Sequence, residues 1–170
     1  MTLLYRDATA ADAAELDAMA RAIWWETFAH GSSAEDANAY CATAYGPTGK
    51  LIADLTSGAA RFYVAVADGA IVGYAKVNAP WLPDAEPNAM QLSQLYVSSD
   101  WHGRGIAQVL MDWTIEQARV EGAGALLLTV WEENARAKRF YEKLGFVHIG
   151  DYAFPVGQQI DTDNIMRLAL

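Results

Sequence analysis

Two runs of β-branched and aromatic residues, Arg61-Phe62-Tyr63-Val64-Ala65-Val66 and Ile71-Val72-Gly73-Tyr74-Ala75-Lys76-Val77, flank Asp68-Gly69. No other feature constrains the fold as strongly. Asp-Gly accommodates the positive φ angles of a tight turn whose twist matches the flanking strands, so the two runs pair as an antiparallel hairpin. Any sheet built on this pair is not purely parallel. Four further segments read as strands: Leu3-Leu4-Tyr5-Arg6, the alternating Gln91-Leu92-Ser93-Gln94-Leu95-Tyr96-Val97, and near the C-terminus Phe146-Val147-His148-Ile149 and Ile165-Met166-Arg167-Leu168. Ala125-Leu126-Leu127-Leu128-Thr129-Val130 differs from these in being continuously apolar, as a strand covered on both faces is.

Helices fill the spaces between. Leu16, Met19, Ala20, Ile23 and Thr27 recur at helical spacing within Ala10 to Phe28, which Gly31, Ser32 and Ser33 end. Ser33 is placed to cap a second helix over Ala34 to Tyr45, with Asp36 as the acid of a capping box and Gly46-Pro47 as the stop. Residues 79–90 hold three prolines and read as a loop. A third helix follows the turn at His102 to Gly105 and runs to about Glu121, and a fourth opens at Asn134 and stops at Gly145. The resulting order, β-α-α-β-β-β-α-β-α-β-β, predicts an α/β protein with a mixed, mostly antiparallel twisted sheet and helices on both faces, in a single domain over 1–170.

Composition fits a chain that folds without cross-links. It is 53% hydrophobic, with 6 Trp, 8 Tyr and 5 Phe, which is too apolar for disorder and enough for a sizeable core. The lone cysteine, Cys41, has no intrachain partner, and no Cys/His cluster has metal-ligand spacing, so a reducing cytoplasm is expected and no metal. Charged residues interrupt every hydrophobic run short of a membrane span, and the start lacks the basic-then-apolar pattern of a leader. A net charge of −9 repels phosphodiester backbones and favours cationic small molecules; residues 1–100 carry 12 acids against 5 bases, and residues 101–170 carry 9 against 7. Nucleic acid and membrane are therefore not expected partners, while either a monomer or a homodimer is.

The segment Leu95-Tyr96-Val97-Ser98-Ser99-Asp100-Trp101-His102-Gly103-Arg104-Gly105-Ile106-Ala107 sets a glycine-bearing turn between a strand and a helix. The first helical N–H groups lack intrahelical partners, the helix dipole is positive there, and glycines remove the Cβ atoms that would hold an anion away. Neither Gly-x-x-x-x-Gly-Lys-Ser/Thr nor Gly-x-Gly-x-x-Gly is matched, so no P-loop or dinucleotide fingerprint is present. About thirty residues on stands Asn134-Ala135-Arg136-Ala137-Lys138-Arg139-Phe140-Tyr141-Glu142-Lys143-Leu144-Gly145-Phe146. Taken together, these two motifs resemble the pyrophosphate loop and second motif of the GNAT superfamily of acyl-CoA-dependent N-acyltransferases, over roughly residues 60–150.

The resemblance implies acetyl-CoA as donor and a small amine as acceptor, with a peptide or amino-acid N-acetyltransferase, or a coenzyme-A-binding sensor with little turnover, as the alternatives. It places His102, Gly103, Arg104, Gly105, Ile106 and Ala107 on the coenzyme pyrophosphate, and Leu95, Tyr96 and Val97 along the pantetheine on a strand that splays from its neighbour at a bulge. Asn134 matches a pantetheine ligand and is also placed to cap its helix. Lys143 falls where a cation would meet the coenzyme's phosphates. Tyr141 matches the general acid that protonates the leaving thiolate, a role open to a phenol close to the sulfur, and it is equally placed to be a core aromatic. Two positions depart from the pattern: His102 stands where Gln or Arg is usual, and Gln91 where many relatives carry a Glu base, a role an amide cannot fill. Replacement bases are Glu26, His30, Asp84 and Glu86, each also readable as a surface or helix-end charge. Trp24, Trp25 and Trp81 are candidate acceptor-pocket walls, though of the adjacent pair only one can face the core. Phe154 to Met166 resembles the closing hairpin of polyamine acetyltransferases, which together with the acidic first hundred residues points to a small cationic amine. Cys41 lies outside both motifs.

Overall fold

A computed structural model describes residues 1–170. Seven strands, β1 (Leu3–Asp7), β2 (Ala60–Ala67), β3 (Ala70–Asn78), β4 (Ala89–Val97), β5 (Ala125–Trp131), β6 (Val147–Val156) and β7 (Gln159–Ala169), form one sheet in the order β1-β2-β3-β4-β5-β7-β6. Each neighbouring pair is antiparallel except β4 with β5. The mixed α/β architecture expected from the sequence is therefore present, with the Asp68-Gly69 hairpin joining its second and third strands, between the β1 edge and the central β4.

Side-chain alternation along the strands feeds two cores. On one face α4 (Ile106–Val120) and α5 (Ala135–Lys143) pack Leu110, Met111 and Tyr141 against Val77, Leu126, Leu128 and Met166. On the other, α1 (Ala13–Phe28), α2 (Ala34–Ala44) and α3 (Lys50–Ser57) bring Leu16, Ala20, Cys41 and Leu51 onto Phe62, Val64 and Tyr74. The continuous apolar run of β5 follows from this: Leu126 and Leu128 face α4, while Ala125 and Leu127 lie under Leu82 of the Pro-rich loop.

One irregularity shapes the site. Lys76 pairs with Gln94 and Val77 with Leu92, which leaves Ser93 as an extra, bulged residue in β4. A bulge bends and twists its strand, and β4 pairs with β5 only through Ala89, Met90 and Gln91 opposite Ala125, Leu126 and Leu127. Beyond Gln91 the two strands diverge, leaving the facing edges of Leu92–Val97 and Leu128–Trp131 without each other as partners.

Three elements differ from the sequence reading. The first helix begins as a 3-10 turn at Ala10–Asp12, because the Asp12 carboxylate accepts from the Thr9 amide at 2.7 Å and from Arg6 at 2.8 and 2.9 Å. The short α3 sits between Gly49 and Gly58, where glycine and proline punctuation hides eight helical residues. Finally, the two short C-terminal strands belong to one long hairpin turning at Gly157-Gln158. Pro155 is tolerated there because β6 is the sheet's edge. Ser33 does cap α2, accepting from the Asp36 amide at 3.1 Å, but the Asp36 carboxylate leaves its helix and accepts from the Gln158 amide at 2.7 Å, tying the hairpin tip to α2.

Candidate active site

A cleft of about 840 Å³ runs through the split between β4 and β5. It reaches both faces of the sheet: Ala107, Asn134, Ala137, Phe140 and Tyr141 line it on the α4/α5 side, and Trp24, Phe28, Tyr40, Trp81, Tyr152 and Phe154 on the other.

At the α4 end the backbone presents donors. None of the six consecutive N–H groups from Gly103 to Gln108 reaches an acceptor in the protein; intramolecular bonding resumes with Val109 to Gly105. Gly103 and Gly105 hold φ of 76° and 79°, conformations that L side chains resist, and a Cβ on either would point into open space. Six unpaired amides at the positive end of a fifteen-residue helix form a cradle that can hold an anion such as a phosphate. Ile106 is buried and anchors the helix in the core, so its side chain packs while its amide stays without an acceptor in the protein. Arg104 is exposed and stacks on Trp101 at 4.7 Å.

His102 is exposed but not idle. Its Nε2 lies 2.8 Å from the Val97 carbonyl, and its Nδ1 faces the Arg136 guanidinium. A carbonyl only accepts and a guanidinium only donates, so the ring carries its proton on Nε2. His102 thereby ties the end of β4 to the first turn of α5 and holds Arg136 at the cleft. Along the split, Leu95 and Val97 direct side chains to the α4 core, while the Tyr96 ring packs edge-on against Tyr74 at 5.5 Å on the opposite face. Asn134 caps α5, accepting from the Ala137 amide at 3.3 Å, and also lines the cleft. Lys143 is exposed at the far end of α5, about 13 Å along the helix axis from Asn134 at 1.5 Å per residue, and outside the cleft.

The C-terminal end of α5 fixes Tyr141. The amides of Gly145 and Phe146 bond back to the carbonyls of Glu142 and Tyr141 at 3.0 and 3.1 Å, a Schellman closure, and the Tyr141 ring packs edge-on against Phe140 and Phe146. Its hydroxyl has no hydrogen-bond partner in the protein, and burial pushes the phenol's pKa up, so it stays protonated.

None of the four replacement bases lines the cleft. Glu26, His30 and Asp84 are exposed, the His30 ring lying edge-on to Trp131, and Glu86 receives Arg167 Nε at 2.6 Å and Nη2 at 3.2 Å. Gln91 is fully buried, and its Oε1 accepts from the Trp81 amide at 3.1 Å, which pins the Pro-rich loop to β4. Trp24 is buried and stacks on Tyr40 at 4.6 Å, whereas Trp25 is exposed and outside the cleft. Trp81 packs on Tyr152 and donates from Nε1 to the bulged Ser93 at 3.1 Å.

Three carboxylates absent from the sequence reading do line the cleft. Asp54 receives Lys50 at 2.8 Å and the buried Lys76 at 2.7 Å; burial works against its charge, yet these hydrogen bonds hold its carboxyl below the usual carboxylate value. Asp161 accepts from Gln159 Nε2 at 2.6 Å. Asp163, only 8% exposed, has neither an ion pair nor a backbone donor, and burial pushes its carboxyl up to about 6. The signal available in the sequence was the alternation Asp161-x-Asp163, which puts both side chains on one face of a strand. That face was unknown without the long hairpin.

A phosphate cradle at a helix start, two strands parted beside it and a buried phenol at the parting are the parts of an acyl-coenzyme A transferase. Comparison with known proteins agrees. The model of the acetyltransferase (GNAT) family matches residues 16–146. An uncharacterised N-acetyltransferase of Lactobacillus delbrueckii subsp. lactis is 27% identical over 161 residues, 94% of this chain and 92% of that one. One of Mycobacterium bovis is 37% identical over 99 residues, spanning 58% of this chain and 60% of the relative. Among solved structures, the PaiA N-acetyltransferase of Thermoplasma acidophilum in complex with coenzyme A superposes with a TM-score of 0.80 at 22% identity over the full length of both chains. YncA of Salmonella typhimurium with its cofactor acetyl-CoA gives 0.71 at 19%, over 100% of this chain and 95% of that one. The chain belongs to the GNAT acetyltransferase family and is an acetyl-CoA-dependent acyltransferase.

Proposed function

We propose that the enzyme acetylates a primary amine on a small, polyamine-like cation by direct attack within a ternary complex. The observation carrying this reading is the composition of the acceptor half of the cleft, where the carboxylates of Asp161 and Asp163 stand among the aromatic rings of Tyr40, Trp131, Tyr152 and Phe154. Desolvated carboxylates and ring faces both attract an ammonium group. On the donor side, the amides from Gly103 to Ala107 hold the pyrophosphate, Leu95 to Val97 and Asn134 line the pantetheine, and Arg136 supplies the charge for which Lys143 is distant. A main-chain amide freed at the bulge stabilises the oxyanion, a contribution typically of a few kcal/mol. Tyr141, protonated and unpaired, gives the leaving sulfur its proton. The lone Cys41 supports a cytoplasmic setting.

A second reading, an amino-acid or peptide acceptor, is favoured by Lys50 and Lys76, which also line the cleft and would take a carboxylate. Human N-acetylaspartate synthetase is 36% identical over 89 residues, 52% of this chain and 28% of that one. Both ammonium groups are held by Asp54, which ranks this reading second.

The test is thiol release from acetyl-CoA against diamines, polyamines, aminoglycosides, amino acids and short peptides, with a no-acceptor control. Release with polyamines and not with amino acids is the expected outcome. The reverse pattern would transfer the assignment to the second reading, and thermal stabilisation by acetyl-CoA without release on any acceptor would reject both.

A further inference from the structure

Asp163 is a buried carboxylate that the fold does not compensate. No Lys, Arg or His side chain pairs with it, no backbone amide donates to it, and its surroundings add to its cost: Asp161 beside it and Glu132 beyond β5 are both acidic, Tyr40 faces it from α2, and only the Thr129 hydroxyl favours its charge. A carboxylate in that position weakens the folded state unless something enters the cleft to meet it.

Its location is specific. Asp163 is paired across the ladder with Trp131, and directly opposed residues share a face of the sheet. Trp131 meets Phe28 and His30 at the end of the α1 region, so Asp163 lies on the acceptor face, one strand beyond the split. Tyr141 belongs to the α4/α5 core on the opposite face, yet both residues line the same cleft. The split thus has an unpaired carboxylate on the side from which the amine arrives and an unpaired phenol on the side to which sulfur departs. The other two carboxylates are less suited, since Asp54 is held by two lysines and Asp161 by Gln159.

We propose that Asp163 is the general base of the acetyl transfer, accepting a proton from the acceptor's ammonium group as its nitrogen attacks the thioester carbonyl. An N–H bond breaks and its proton passes to an Asp163 oxygen, while the freed electron pair forms the N–C bond. The C–S bond breaks with its electrons on sulfur, which takes the Tyr141 proton. The second proton lost from nitrogen as the amide forms returns to Tyr141, and Asp163 releases its own to water. The sum is amide, free thiol and one proton. A carboxyl raised to about 6 is ionised at neutral pH and closer to an amine in proton affinity than a solvated carboxylate is.

This assignment rests on the amine-acetyltransferase reading, and the experiment separates the two. With the full-length enzyme and the amine that wild type turns over best, Asp163→Asn is expected to lower kcat about 10²-fold, to leave acetyl-CoA thermal stabilisation intact, and to abolish a fall in kcat below about pH 6. An acceptor of weakened basicity, a fluorinated ethylamine already deprotonated at assay pH, should recover most of that loss. Asp163→Ala with added formate is the second variant, and restored turnover is expected. Unchanged kcat with a raised acceptor KM, or an unaltered acid limb, would overturn the base assignment while leaving the enzyme an amine acetyltransferase. No turnover by wild type on any amine would overturn both.

Discussion

Gln91 shows how far a single residue's meaning depends on what surrounds it. In the sequence it is a missing base; in the structure it is a buried tether between β4 and the Trp81 amide, with its Nε2 unpaired. Gln91→Glu is accordingly expected to impair the enzyme: a carboxylate with the Trp81 amide as donor but no cation, in a fully buried site, should cost roughly 1–3 kcal/mol in urea unfolding, with no gain in kcat. A gain in kcat would show that the site lacks a base and that Asp163 does not supply one. Tyr141→Phe keeps the ring that packs between Phe140 and Phe146 and removes only the hydroxyl. Turnover should fall about 10²-fold with acetyl-CoA affinity nearly unchanged, measured by steady-state kinetics and coenzyme titration. Unchanged turnover would remove Tyr141 from the mechanism.

Among the elements, the β6–β7 hairpin does most to complete the half of the cleft proposed to take the acceptor. It brings Tyr152, Phe154, Asp161 and Asp163 to the cleft, and its tip docks on α2 through the Asp36 carboxylate and on the end of the α1 region through Gln159 Nε2 to the Gly31 carbonyl at 2.7 Å. Gly157 at that tip has φ of 61°, and a Cβ there would lie 2.4 Å from Asp36 Oδ1 and 2.6 Å from its Cα. Gly157→Ala should therefore undock the tip, costing about 1–2 kcal/mol in denaturant unfolding and raising acceptor KM several-fold while coenzyme affinity holds. Equal losses on the coenzyme side would mean that the hairpin supports the whole sheet and not the acceptor half alone. The sequence supplied the ends of this hairpin but not its length, because Gly150 and Pro155 interrupt β6 and mask the alternation of Tyr152, Phe154 and Val156 with the exposed Asp151, Ala153 and Pro155.

For the molecule as a whole, two carboxylates pull stability in opposite directions with pH. Asp12 is held down to about 2, chiefly by its hydrogen bonds from Arg6, so the native state sheds this proton before the unfolded chain does, and its stabilisation is lost as pH falls from near 4 through about 2. Asp163, raised to about 6, binds a proton in the native state that the unfolded chain releases near 4, so its contribution declines as pH rises from about 4 to 6 and stays diminished above. The difference corresponds to at most about 3 kcal/mol. Asp163→Asn should flatten this decline and be more stable than wild type at pH 7 while less active, which urea unfolding across pH 3–8 would measure. A variant less stable at every pH would show that the carboxylate serves the fold.

Local sequence determined whatever depends on neighbouring residues. The Asp68-Gly69 turn, the Ser33 cap, the glycine turn before Ile106 and the Gly145 stop behind Tyr141 each act over a few positions, and from them the order of elements apart from the short α3, the free amides before α4 and the position of Tyr141 were legible. The proposed acceptor half of the cleft was not. Asp54, Lys76, Tyr40 and Asp163 lie far apart in the chain and share no spacing rule; they meet because β4 bulges at Ser93, parts from β5, and leaves a cleft that α1, α2, α3 and the closing hairpin wall from one face. Short-range backbone preferences are written residue by residue, whereas a carboxylate's burial, charge neighbours and proton affinity are set by whichever distant side chains the folded sheet brings around it.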